Sequence, residues 1–244
     1  MIDLLYFNQA FLLVVLAALI PASVDAQSSS TRQEFWPGVD LYVNLNSQSR
    51  FFLKYSAVRE HQLDDYADGK VGGYFDFYVL PLVRRRLREM PDAARDKFLM
   101  FRVGYLYSNI PPGTSKPSTQ HIPTLETDPR TPLPWGLLLT DRNRLEFRIV
   151  NGAYEPRYRN RVRFERAFQT GRFALTPYVD AEALYSWKYH AFNQIRYSTG
   201  LEWTIAHFLT LEGYFTRQRD TKSSPEYLNA LGATVQFHLR QNNK

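Results

Sequence analysis

The chain has 244 residues and no cysteine, which excludes a disulfide framework, a thiolate metal site and a cysteine nucleophile. Aromatic residues make up 15% of it, with 17 Phe and 16 Tyr, a bias toward pleated, half-buried surfaces and away from helix. The formal net charge of +6 points to anionic partners: nucleic acid, phosphorylated lipid or anionic solutes.

Residues 10–22 (AFLLVVLAALIPA) form an apolar run of signal-peptide length, too short to cross a bilayer as a helix. Val24, Asp25 and Ala26 follow as a small-residue cleavage pattern ahead of polar Gln27 and Ser28. Cleavage is expected after Ala26, giving a signal peptide 1–26, a short N-terminal segment 27–34, a barrel 35–239 and a tail 240–244. The leader carries Asp3 and Asp25 but no Lys or Arg, so it lacks the usual basic start, and its removal leaves the chain more positive still. Export makes nucleic acid the least expected partner. Beyond Ala26 no apolar stretch approaches the roughly 18–20 residues of a spanning helix, so entry into a membrane requires a closed barrel.

Period-two alternation then runs almost to the end of the chain. Val39, Leu41, Val43 and Leu45 alternate with Asp40, Tyr42, Asn44 and Asn46, and a tight turn follows at 46–49. Weaker alternation covers 51–58. The acidic run 64–69 suggests a calcium loop, but Tyr66 stands at a ligand position and Phe75 where a bidentate Glu belongs. Asp68 and Gly69 therefore read as a turn within a longer connection, 60–70. Alternation resumes over 71–79. Arg84, Arg85, Arg86 and Arg88 read as a solvated edge rather than a grip on lipid phosphates.

A strand at 99–107 is followed by 121–130, which loop parity demands, although Pro123 and Pro129 make it a poor strand expected to pair weakly. It turns at 133–136 into 137–150, where Leu145, Phe147 and Ile149 oppose Arg144, Glu146 and Arg148. Segments 157–164 and 175–185 come next, joined by the tight turn 169–172. After a longer connection at 186–193, Ile195, Tyr197, Thr199, Leu201 and Trp203 face away from Gln194, Arg196, Ser198, Gly200 and Glu202. A helix would gather Ile195, Ser198, Thr199 and Glu202 on one side, which makes no apolar stripe. Leu209, Leu211 and Phe215 then oppose Thr210, Glu212 and Thr216, with a tight turn before them at 206–207. A longer connection at 219–226 leads to Leu231, Ala233, Val235, Phe237 and Leu239, set against Gly232, Thr234, Gln236 and His238.

Eleven such segments are counted, and antiparallel closure asks for an even number. The expectation is an all-β, antiparallel up-and-down transmembrane β-barrel of 10–12 strands, with twelve favoured. Segments of about nine to eleven residues suit a tilted crossing. Short turns and longer connections alternate between rims. Trp36, Tyr154, Tyr185, Trp187, Tyr189, Trp203 and Phe208 lie at strand ends, as interfacial girdles do. The rival architecture is a soluble sandwich or lipocalin-like barrel with its apolar face inward.

The stretches LLLTDRNRLEFR (137–148), RYRNRVRFER (157–166) and TPYVDAEALY (176–185), with FLKYSAVRE before them and YSTGLEW after, resemble domain-of-unknown-function family 2490. That family is regarded as bacterial outer-membrane barrels. The resemblance covers about 34–239 and implies architecture and an outer-membrane location, with no activity and no catalytic residues.

Arg144, Glu146, Arg148, Arg159, Arg161, Arg163, Glu165, Asp180, Glu182, Arg196, Glu202 and Glu212 all fall on polar faces and would line the lumen of a closed barrel. Buried charges must be paired, so they either fill the lumen as a salt-bridged network or edge a narrow, anion-preferring pore. Those are the two expected functions, a structural barrel or a porin-like passage. The alternatives are an outer-membrane lipid-modifying enzyme and a soluble periplasmic ligand-binding barrel. Ser186 and His190 share one connection where an acyl hydrolase could place them, but no orienting acid accompanies them. No HExxH, GxSxG or phosphate-binding glycine loop occurs, so neither an enzyme, a metal nor a cofactor is expected. His207 reads as a turn residue and His238 as a lumen residue. Expected partners are outer-membrane lipids, lipopolysaccharide and the barrel-assembly machinery, with the oligomeric state left open.

Overall fold

A computed structural model describes residues 31–60, 65–81, 97–110, 117–170, 173–223 and 226–240. The expected signal peptide, the arginine run 84–88 and residues 241–244 lie outside them. The strands are β1 (Thr31–Asn44), β2 (Ser49–Glu60), β3 (Asp65–Pro81), β4 (Lys97–Ile110), β5 (Ser118–Pro132), β6 (Leu137–Glu146) and β7 (Ile149–Val150). They continue as β8 (Ala153–Tyr154), β9 (Arg157–Arg166), β10 (Phe168–Thr170), β11 (Phe173–Ser186), β12 (Ala191–Ala206), β13 (Leu209–Asp220) and β14 (Tyr227–Arg240).

Eleven of these strands close into a barrel in the order β1–β2–β3–β4–β5–β6–β9–β11–β12–β13–β14 and back to β1. The three short strands add no staves. β7 carries β6 onward along β5, β8 pairs back on β7, and β10 carries β9 onward along β11. Every barrel pair is antiparallel except the seam, where β1 and β14 run parallel from Thr31↔Tyr227 to Asn44↔Arg240. The count therefore falls inside the expected range at eleven, and no twelfth strand is needed. Parity forces an even number only when the last pair is antiparallel, and a parallel ladder is only slightly less stable per residue.

The proline-bearing strand shows where its weakness lies. β5 pairs with β4 without a break from Leu99↔Pro129 to Ile110↔Ser118. Its ladder to β6 skips Asp128 and Pro129 while keeping register on either side, because proline has no N–H to donate. At the second proline, the N–H of Phe147 bonds the carbonyl of Pro123 at 2.9 Å.

Tight turns at 45–48, Pro134–Gly136 and 207–208 share one rim, where the end of β14 also lies. Turns at 151–152, 187–190 and 221–223 share the other. Asn151 and Gly152 both take positive φ, as a two-residue hairpin turn requires. Asp68 and Gly69 are not a turn. They belong to β3, opposite Val58 and Ala57, because the β2–β3 hairpin extends well past the segments read as alternating.

The sheet is inside out relative to a water-soluble barrel. Val39, Leu53, Phe75, Val103, Leu125 and Leu231 stand exposed on the outer face, whereas Asp76, Glu126, Asp128, Glu146 and Arg102 are buried within. Trp135 and Phe208 crowd one rim, and Tyr154, Trp187 and Tyr189 the other, all exposed. Trp36 departs from the expected girdle. It shares the parity of Asp40 and so faces the interior, where its Nε1 donates to Glu34 at 2.5 Å beneath the guanidinium of Arg196. One polar island interrupts the outer face. Asn160 donates to Asp141 at 2.6 Å and to Asn143 at 3.1 Å, and the Tyr158 hydroxyl donates to Asn143 at 2.5 Å.

Candidate lumenal site

Alternation points every second side chain of each stave inward, and cross-strand register then decides which charges meet. They meet as a belt lying along the wall. On β3, Asp76 accepts from Arg50 of β2 at 2.9 Å and from Arg102 of β4 at 2.5 Å. Arg102 also reaches Glu126 of β5 at 3.1 Å, and Glu126 takes Arg142 at 3.2 Å and Arg144, both from β6. Glu146 accepts from Arg157 at 2.6 Å and Arg159 at 3.0 Å, both on β9. Arg159 continues to Glu182 of β11 at 2.5 Å, which Arg196 of β12 also reaches at 3.2 Å. Arg163 holds Asp180 at 2.9 Å and Glu202 at 3.4 Å. These carboxylate–guanidinium pairs link eight staves, β2 to β6, β9, β11 and β12, through side chains as well as through the ladder.

The belt surrounds a cavity of about 630 Å³. All twelve residues singled out from the sequence, from Arg144 to Glu212, line it. Glu212, on the far wall, accepts from the Tyr178 hydroxyl at 2.5 Å and from Gln236 at 3.0 Å. Arg148 bonds Gln120 at 2.7 Å. The first half of the belt, Arg50, Asp76, Arg102, Glu126, Asp128 and Arg142, lies beyond the twelve residues expected from the sequence. The signal was present, since Asp76 alternates with Phe75 and Phe77, and Arg102 with Phe101 and Val103.

Fourteen Lys and Arg line the cavity against ten Asp and Glu; adding Asp76 and Glu126, set in the wall behind it, makes twelve. The lining is therefore net positive. Ser186 is buried on the inner side of β11, His190 lies exposed in the turn beyond it with φ 50°, and no hydrogen bond joins their side chains. Among the described residues no group of His, Asp and Glu is arranged as a metal site requires.

The family described as "Protein of unknown function (DUF2490)" matches residues 93–229. The chain belongs to this family. The DUF2490 match opens just ahead of β4 and takes in most of the charged belt, from Arg102 to Glu212, while Arg50 and Asp76 precede it. No curated protein matches the chain. Among solved structures, the β domain of the Bordetella autotransporter BrkA is similar at 14% identity, over 75% of this chain and 81% of that one, with a TM-score of 0.46.

Proposed function

We propose that this chain is an outer-membrane barrel whose lumen forms a narrow, anion-preferring aqueous passage. The observation that carries the membrane part is the inverted polarity of the sheet. A closed barrel with buried Arg, Asp and Glu inside and exposed Val, Leu and Phe outside matches hydrocarbon around it and polar atoms within it. In water the same outer face would be an apolar patch far beyond what monomeric soluble proteins display. Support for the passage comes from how the charges lie. They pair with neighbours on the same wall, which leaves a central cavity with more cations than anions on its lining.

The tests are cell fractionation with gel mobility before and after boiling, then planar-bilayer recordings of the purified protein. Extraction without detergent would sink the membrane reading, and absence of current, or cation preference, would sink the passage. One observation favours a second reading, a purely structural barrel: the belt of ion pairs from Arg50 to Arg196 stiffens the wall whether or not anything moves past it.

A further inference from the structure

Arg161 differs from the other arginines of the belt. It points inward from β9, with Arg142 of β6 directly opposite on one side and Glu182 of β11 on the other. Its own strand places Arg159 and Arg163 two residues away, on the same inner face. Every carboxylate in reach is already engaged. Glu182 is held by Arg159 and Arg196, at 2.5 and 3.2 Å. Asp180 is held by Arg163 at 2.9 Å, which leaves the Arg161 Nη1 4.0 Å from it. Arg142, across the ladder, is committed to Asp128 and Glu126, each at 3.2 Å.

Arg161 makes no hydrogen bond to any described residue, and its side chain keeps 21% of its surface open on a stretch of wall that lines the cavity. Like charges directly opposite one another in a sheet are destabilising, and a fork of five N–H donors left unmatched in a confined lumen calls for an acceptor of opposite charge. An oxyanion meets both needs. It offers two oxygens to one guanidinium in parallel, the strongest pairing arginine makes, and it neutralises the surplus charge among Arg142, Arg161 and Arg163.

We propose that Arg161 is the centre of a lumenal binding site for a phosphate-type oxyanion, either free phosphate or the phosphoryl group of a small solute. This rests on the reading of an aqueous, anion-preferring lumen. The cavity of about 630 Å³ has room for a solute larger than phosphate itself.

The experiment uses the full chain, folded in detergent, as wild type and as the R161Q, R161K and D180N variants, with folding checked by heat-dependent gel mobility. Equilibrium binding of radiolabelled inorganic phosphate is measured at constant ionic strength in chloride. Saturable binding by the wild type is expected, weakened about tenfold or more in R161Q by loss of a bidentate charge-assisted pair. R161K, which keeps the charge but not the fork, falls between them. D180N removes the nearest competing carboxylate and binds phosphate more tightly. Absence of saturable binding, or equal affinity in wild type and R161Q, overturns the site. Chloride current measured on the same preparations separates the two claims: current without phosphate binding removes the site alone, and binding without current removes the passage alone. Competition by a hexose phosphate at least as strong as by free phosphate assigns the site to phosphorylated solutes, and competition by free phosphate only assigns it to the ion.

Discussion

The Nε of Arg102 donates to Oδ1 of Asp76 at 2.5 Å across the β3–β4 ladder, and both side chains are buried, Asp76 completely. The other carboxylate oxygen is taken by Arg50 from the opposite neighbour. One acidic group therefore satisfies two guanidiniums on a wall of the lumen. Replacing Asp76 with Ala takes the shared carboxylate from both and leaves Arg102 with Glu126, and removal of one partner from a buried pair costs about 3–5 kcal/mol. Urea unfolding of the protein inserted in lipid vesicles, followed by tryptophan fluorescence, should show that loss. A shift under about 1 kcal/mol, the worth of an exposed pair, would mean that water screens this site.

Val103 sits on the outer face at the middle of β4 and is 51% exposed. An arginine there costs about 2–4 kcal/mol if the position faces the bilayer midplane, but a surface substitution on a soluble protein stays within about 0.5 kcal/mol. The same unfolding measurement on V103R distinguishes the two. A near-neutral result would argue that this face meets water.

Tyr214 and Gly232 are paired in register across β13 and β14, and the tyrosine ring lies over the glycine so closely that a Cβ there would sit 1.9 Å from it. Gly232→Ala must push that ring aside, and overpacking of this kind costs about 1–3 kcal/mol. Gly213, on the outer face of β13, has no atom within 4 Å of an added Cβ. Gly213→Ala is expected to leave the unfolding midpoint unchanged or raise it. Equal effects from the two substitutions would refute the packing argument.

Glu146 is buried and accepts from Arg157 and Arg159. Glu146→Gln makes the lumen one charge more positive while taking the charged partner from Arg157 and leaving Arg159 with Glu182, so stability and selectivity should move in opposite directions. Reversal potentials under a salt gradient are expected to show stronger anion preference than wild type, alongside a lower unfolding midpoint. Weakened anion preference would contradict a passage lined by this belt.

Much of the barrel was legible because one face of each strand had to be apolar. The stretch 194–203 lies inside β12, with Ile195, Tyr197 and Trp203 exposed outside and Glu202 buried within, as its alternation requires. Pairing was harder to see. Asp76 finds Arg50 and Arg102 each 26 residues away, through register that no local pattern encodes. Strand number escaped the loop count because parity assumes an antiparallel seam. The place of Trp36 near a strand end suggests a girdle, but its parity with Asp40 settles its direction inward. The outer island of Asp141, Asn143 and Asn160 breaks the apolar rule on two adjacent strands, and only the β6–β9 register, which sets Asn143 opposite Asn160, shows that the breaks coincide.

The parallel seam also sets the sidedness of the chain. Because β1 and β14 run the same way, Thr31 opens onto one rim and Arg240 onto the other. In a barrel with an even number of antiparallel strands the two ends share a compartment. Here, once the sheet spans a bilayer, they are on opposite sides of it. An epitope ahead of Thr31 and another after Arg240 could not both be shaved by a protease added to one side, and one end of the chain must cross the membrane before the barrel can shut.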